Sequence, residues 1–364
     1  MTFDCAIIGA GPAGCAAAMY LARAGRSVAL IDRAAFPRRK ACGEGILPAG
    51  VAVLRELGVY DEAEALGRRF CGVAWTTREG RYVRSRFPDG HGLAVPREDL
   101  DHLLLRRAAE MRGVRVFLNT APLGIERAGD GVRVMLPNGT LRAERLIAAD
   151  GAASPSLRAL GVTRREPELK RYGLAARLTG VGTGDLVEVF LIDGGEVYLT
   201  PLPGDRRVSA ALLLERGTLA RGFTGRETAF WRLARAHPAL RTRLERATLD
   251  APVVGLGPLA TASARWEDGP WLAAGDAAGS VDPLVGDGIG LALRGGRLAA
   301  EETLAALAGS GRPGGYTRRR RRLVRPKERM ARFALAMSRR PRLARWTVRA
   351  LNAFPSAFSA LLDG

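Results

Sequence analysis

The 364-residue chain is poor in histidine, lysine and cysteine. Its three histidines, His91, His102 and His237, lie in unrelated contexts, which argues against a histidine-based metal site. The four cysteines show no paired spacing, so neither a disulfide scaffold nor a cysteine-rich zinc module is expected. Free thiols fit a reducing, cytoplasmic setting. The uncharged stretch Cys5–Ala22 is broken by Gly9, Gly11, Pro12 and Gly14, and no basic segment precedes it. It therefore reads as neither a signal peptide nor a membrane span. Lysine occurs only at Lys40, Lys170 and Lys327, so nearly all of the +19 formal charge is arginine. A GC-rich genome accounts for arginine over lysine but not for its clustering. Residues 312–349 hold fifteen basic residues and a single acid, Glu328.

What is present is ordinary for a globular protein: 47% apolar and 26% charged residues, enough for a sizeable core. At roughly 150 residues per domain the length fits about two domains. Residues 3–8 predict a buried strand, Pro12–Ala24 a helix and Ser27–Ile31 a second strand, which together make a βαβ unit of a parallel sheet. Further helices are expected at Leu47–Leu57, Arg97–Arg112, 225–248 and Gly286–Leu307. Strands are expected at 71–76, 81–87, Val114–Leu118, Tyr172–Leu178, Leu186–Ile192, Glu196–Pro201 and Val208–Leu214, with a meander over 121–147. The expected class is α/β: a Rossmann-like domain formed discontinuously by 1–165 and 256–310, a mostly antiparallel substrate-domain sheet in 166–255 (joined by 71–96), and a basic helical region in 311–364.

Gly9-x-Gly11-x-x-Gly14 follows the first strand and opens the first helix. Gly9 permits the tight turn, Gly11 lets backbone approach a pyrophosphate, and Gly14 allows helix and strand to pack closely. Phosphates are favoured at the helix start, where free amides and the helix dipole meet them. Asp32 ends the second strand, placed for an adenosine ribose diol. Cys15, inside this helix, reads as packing. Two later segments narrow the cofactor. Ala148-Ala-Asp150-Gly151 ends a strand. Gly275-Asp276-Ala277-Ala278-Gly279 leads into Asp282-Pro283-Leu284-Val285-Gly286-Asp287-Gly288-Ile289-Gly290. Asp276 at a strand end is placed to hold a polyol chain. The helix after Gly286 aims its positive end at an electron-rich ring carbonyl, where it stabilises a reduced-ring anion by up to ~2 kcal/mol.

Together these segments resemble the FAD-dependent flavoproteins of the p-hydroxybenzoate hydroxylase fold over residues 1 to about 310. The resemblance implies that Gly9, Gly11, Pro12, Ala13, Gly14, Asp32 and Arg33 bind the ADP half of FAD, with Asp150 and Gly151 near the pyrophosphate. It also implies Gly275 and Asp276 along the ribityl or pyrophosphate part, and Pro283, Gly286, Gly288 and Ile289 along the isoalloxazine. Arg97, in Val-Pro-Arg-Glu-Asp-Leu, resembles an arginine that opens a helix and contacts the cofactor. Lys40-Ala-Cys42-Gly43-Glu44-Gly45-Ile46 is similar to the flavin-side loop of geranylgeranyl reductases. Glu196-Val-Tyr198-Leu-Thr200-Pro201 lacks both tryptophans of the related halogenases and keeps only the proline of the prenyl-reductase pattern.

No second glycine fingerprint is present, so NAD(P)H would be a transient reductant. The first expectation is a monooxygenase that hydroxylates or epoxidises a bulky apolar metabolite through a C4a-hydroperoxyflavin. The alternative is reduction of isoprenoid double bonds by hydride from the flavin. A third reading is a basic lipid- or nucleic-acid-binding flavoprotein without turnover. Cys42 either donates a proton or packs beside the ring, and Glu44 is a second candidate acid. Tyr198, Thr200 and Pro201 are expected near the substrate, with Tyr198 and Thr200 on one strand face. The tail, with five consecutive arginines at Arg318–Arg322 and apolar residues from Phe333 to Leu361, reads either as a solvated helix face with an apolar face docked on the body or as a peripheral membrane surface through 316–349. No DNA-reading motif supports nucleic acid.

Overall fold

A short strand that is apolar on both faces belongs in the middle of a sheet covered on both sides, and Thr2–Ile8 lies there. The computed structural model describes residues 1–219 and 224–353. Thr2–Ile8 runs parallel to Val28–Ile31 on one side and to Gly139–Ala148 on the other. Val114–Phe117 and Trp271–Ala273 extend this parallel set in the two directions. The meander Gly124–Ala128, Gly131–Leu136 and Gly139–Ala148 is antiparallel, and its last strand belongs to the parallel sheet. Helices Pro12–Arg23, Arg97–Ala109 and Gly288–Leu307 pack on this sheet around a shared core.

The second sheet runs in the order 248–249, 171–179, 208–215, 195–201, 186–192, 72–76, 82–86. The 72–76 strand joins it by parallel pairing with Leu186–Ile192. Gly92–Ala94 does not, contrary to the expected span of 71–96. A bend at Pro88–Gly90, with Gly90 at φ +77°, carries the chain into a separate three-stranded sheet with Gly45–Ile46 and Arg68–Phe70. On strand Gly195–Pro201, Val197 and Leu199 face the helices Arg226–Ala234 and Pro238–Arg243, while Tyr198 packs on the opposite face in another apolar cluster.

One helix expected as continuous is broken by proline. Residues 225–248 contain Arg226–Ala234 and Pro238–Arg243, because a residue before proline avoids helical backbone. His237 stands at that break, where its Nδ1 accepts from the Ala239 amide at 3.2 Å. The basic tail forms Gly315–Arg339 and Pro341–Ala353. Phe354, Phe358 and Leu361 lie outside the described residues. The helix expected from Gly286 starts at Gly288, because Gly286 adopts left-handed backbone at φ +71°. Among the described residues no helix is long and apolar enough to cross a membrane.

One face of Gly315–Arg339 docks on the nucleotide-type domain. The buried Tyr316 hydroxyl donates to the Ala273 carbonyl at 2.5 Å, and Arg320 Nη2 donates to the Gly279 carbonyl at 3.0 Å. Lys327 Nζ lies 3.6 Å from Asp287 at the start of the long helix.

Candidate functional site

The first strand ends at a turn that only glycines can build. Gly9 has φ +108°, and a Cβ there would lie 2.4 Å from the Ala149 carbonyl oxygen. A Cβ on Gly14 would lie 1.8 Å from the Gly9 oxygen, so Gly14 serves helix–strand packing. Gly11 differs: among the described residues the only neighbour within 4 Å of its Cβ position is Arg38 Nη2, at 3.8 Å. The turn is thus tight behind and open in front. No side chain caps the helix Pro12–Arg23, which leaves its first amides facing that opening. Asp32 is held in place by backbone. Its Oδ2 accepts from the Ala10 amide at 2.8 Å and its Oδ1 from the Ala34 amide at 2.9 Å. Arg38 approaches Asp32 at 3.7 Å, and Lys40 approaches Asp276 at 3.9 Å. These two cations stand over the opening from one loop; sequence reasoning quoted Lys40 in that loop without a role and missed Arg38. Asp150 is partly spent on local structure: its oxygens accept from Ser154 Oγ at 2.5 Å and from the Ser156 amide at 2.9 Å.

At the other end, Pro283–Val285 forms a single tight turn ahead of the helix Gly288–Leu307. Three contacts hold that turn. Asp282 Oδ1 accepts from the Leu284 amide at 3.0 Å, and Arg171 Nη1 donates to the same oxygen at 2.6 Å. The Tyr198 hydroxyl donates to the Leu284 carbonyl at 3.1 Å. Arg171 also pairs with Glu196, and both side chains are almost wholly buried. Burial and the neighbouring Glu196 push the Tyr198 phenol well above its usual range. This hydroxyl is therefore a donor that fastens the substrate sheet to the turn. Asp287, which precedes the long helix, pairs with Arg294 and Lys327, and burial raises its carboxyl above the usual range. Its Oδ1 has no hydrogen-bond partner.

The loop between these ends carries Cys42, whose sulfur accepts from the Glu44 amide at 3.3 Å. Glu44 is corrected by the structure. It adopts left-handed backbone at φ +62°, both of its oxygens accept from Arg177, and Oε1 also accepts from the Arg97 amide at 3.1 Å. A carboxylate so engaged anchors the loop; it is not a free acid. Arg97 is itself buried and forms a bidentate pair with Asp101 at 3.0 and 2.9 Å.

One continuous cavity of about 1160 Å³ joins the two ends. Gly9, Gly11, Pro12, Ala13, Asp32, Arg33, Asp150, Gly151, Gly275 and Asp276 line its first part. Cys42, Gly43, Glu44, Arg97, Pro283, Gly286, Gly288, Ile289, Tyr198 and Thr200 line the part beyond. Gly14 and Pro201 do not line it. Gly14 is packed against backbone, and Pro201, one residue past Thr200, points to the other face of its strand. Past the turn the cavity opens into an apolar vault walled by Val73, Trp75, Val189 and Leu213 of the sheet and by Phe333 and Val348 of the tail helices.

Burial raises Glu196 from the ordinary 4.5 to about 7, outweighing the pull of Arg171. Between those values the folded protein holds a proton that the unfolded chain has released, so this group's contribution to stability is lost as pH rises through about 7. Urea-unfolding midpoints are expected to fall more steeply for the wild type than for Glu196→Gln between roughly pH 5 and pH 8. Parallel declines would remove Glu196 as the cause.

A glycine turn on a parallel sheet, an acid at the second strand end, and a second helix start facing the same cavity define a two-part dinucleotide site of the flavoprotein class. Gly11's open face and the two uncapped helix starts fit that cofactor. The chain belongs to the FAD-binding domain family, whose profile matches residues 2–331, and is an FAD-dependent oxidoreductase. It is 35% identical over 322 residues to a menaquinone reductase of Mycobacterium tuberculosis, covering 82% of this chain and 76% of that protein. It is 30% identical over 332 residues to a geranylgeranyl diphosphate reductase of Rhodobacter capsulatus, covering 86% and 78%. The fold superposes on a flavin-dependent brominase with a TM-score of 0.87 at 19% identity, covering 100% of this chain and 93% of that one.

Proposed function

We propose that this oxidoreductase reduces a carbon–carbon double bond in a long, apolar, isoprenoid-type substrate, with NADH or NADPH as a transient electron source. The carrying observation is the vault. It is walled by aliphatic and aromatic side chains and is continuous with the cofactor cradle. A polyisoprenoid offers no polar handles, so burial alone must position it, at about 25 cal/mol per Å² of apolar surface. The two reductase relatives support this reading. It reverses the order of the sequence-based expectations, which placed oxygenation first.

FAD, when bound, supplies two-electron transfer to the substrate. The chain's own residues do the rest. The Gly9–Gly14 turn, Asp32 and Arg38 would hold the ADP half, and Asp276 with Lys40 the linking chain. The Pro283–Gly286 turn, fastened by Tyr198 and Asp282, would seat the ring end. Saturating the double bond takes two electrons and two protons, one proton at each carbon. Cys42, which lines the cavity, is our candidate for the second proton. A general acid of this kind is worth about 10²- to 10⁴-fold in rate.

The test is anaerobic. Protein reduced by NAD(P)H or dithionite is mixed with a detergent-dispersed isoprenoid quinone, and the extract is afterwards reoxidised so that any hydroquinone returns to quinone; a product that still carries two more hydrogens, located in the isoprenoid chain by fragment masses, is expected. Cys42→Ala should retain flavin and lose at least about 10²-fold in turnover. Product formed only in air, with oxygen consumed and incorporated, would replace this reading with oxygenation.

A further inference from the structure

The tail divides its basic residues between two faces. Tyr316, Arg320, Val324 and Lys327 are buried against the body. Arg318, Arg322, Arg325, Arg329 and Arg332 are exposed, and their spacings of four, three, four and three residues place them on one stripe of the helix. None of these five has an ion-pair partner among the described residues, whereas neighbouring Arg319 pairs with Glu301 and Glu302, and Arg339 with Glu215. On the next helix Arg342, Arg345 and Arg349 are exposed around Trp346, which is 73% exposed. Phe333, directly after the stripe, is 46% exposed and also lines the vault. The apolar end of the cavity therefore reaches the surface beside the unpaired arginines.

We propose that this face of the two tail helices seats the protein on an anionic lipid bilayer, with the vault mouth at Phe333 turned towards the membrane. Unpaired arginines attract the negative headgroup layer without first breaking ion pairs. An exposed tryptophan among cations suits the headgroup–acyl boundary, where its ring is apolar and its N–H is wet. Opening the vault there lets an apolar chain pass from lipid to the site without crossing water. The burial pattern argues for lipid over a nucleic acid, because a phosphate backbone uses the cations but gives no reason to expose Trp346 and Phe333 beside them.

This inference rests on the apolar-substrate reading for its purpose, but its test needs no turnover. Flavin-loaded protein is floated with vesicles of phosphatidylcholine alone or mixed equally with phosphatidylglycerol, at roughly 0.1 M salt, where screening extends over about 10 Å. At least tenfold tighter binding to the mixed vesicles is expected. It should fall at least tenfold in Arg322→Glu/Arg325→Glu/Arg329→Glu and several-fold in Trp346→Ser, each retaining flavin. The triple variant should still turn over detergent-dispersed substrate, since none of its three sites lines the cavity. Equal binding to both vesicle types, or an unaffected triple variant, overturns the proposal. So does tighter binding to duplex DNA than to the mixed vesicles at the same salt. Failure to float sinks the membrane face alone, while failure to reduce a dispersed substrate sinks the functional reading alone.

Discussion

Replacing Arg171 with methionine is expected to lower the unfolding free energy by about 3–5 kcal/mol and to weaken flavin retention. Arg171 is 1% exposed and is shared by Glu196 and Asp282, so its removal takes the cation from Asp282 and, above the pH of about 7 at which Glu196 gives up its proton, from a fully buried carboxylate as well. Methionine fills much of the same volume, so the loss reports charge and not a void. Arg171→Lys should recover only part of it, because a single ammonium does not span both acids as a guanidinium fork does. The variant combining Arg171→Met with Glu196→Leu and Asp282→Asn should regain most of the stability, since a buried ionic set replaced whole by apolar or neutral groups is often neutral. Asparagine at 282 keeps an oxygen for the Leu284 amide, which Asp282 now caps. Urea unfolding measures these differences, and released flavin reports the state of the Pro283–Gly286 turn. A loss under about 1 kcal/mol in Arg171→Met would mean that the two acids shed their charge at little cost and that the ion pairs do not hold the turn.

The second large effect separates two glycines three residues apart. Gly14→Ala is expected to abolish flavin binding and to destabilise the apoprotein, because the added methyl would sit 1.8 Å from the Gly9 carbonyl oxygen. Gly11→Ala should leave the apoprotein's melting temperature unchanged. Its backbone, at φ −80°, suits alanine, and the methyl would meet only the flexible end of Arg38 at 3.8 Å. Flavin affinity should nevertheless fall at least tenfold, about 1.4 kcal/mol, because that methyl occupies the space a pyrophosphate needs. Titration of stripped protein with FAD, beside thermal unfolding of the same samples, reads both. Wild-type affinity in Gly11→Ala would show that the cofactor does not cross this turn.

The dinucleotide half was legible because its requirements are local. A strand end, three glycines at set spacing and an acid at the next strand end lie within about thirty residues, and each has a steric or electrostatic reason that no distant contact changes. Alternation along Gly195–Pro201 likewise put Tyr198 and Thr200 on the cavity side. Glu44 was misread for the opposite reason. Its Arg177 partner is 133 residues away, brought close only when the substrate sheet meets the loop. The Arg171–Asp282 pair spans 111 residues and has no sequence signature.

The tail shows the division most plainly. The sequence alone marked it as a strongly basic helical region with apolar residues following the arginine run. Only the tertiary structure decided which cations turn inward, since Arg320 and Lys327 occupy buried positions that a sequence reading assigns to solvent. They can do so because the body supplies Trp266, with its ring 5.3 Å from Arg320, and the carboxylate of Asp287. A cation leaves water only where partners are already in place, and those partners come from segments forty or more positions away. Spacing along the chain sets helices, turns and faces, whereas pairing across the chain selects which charges those faces bury.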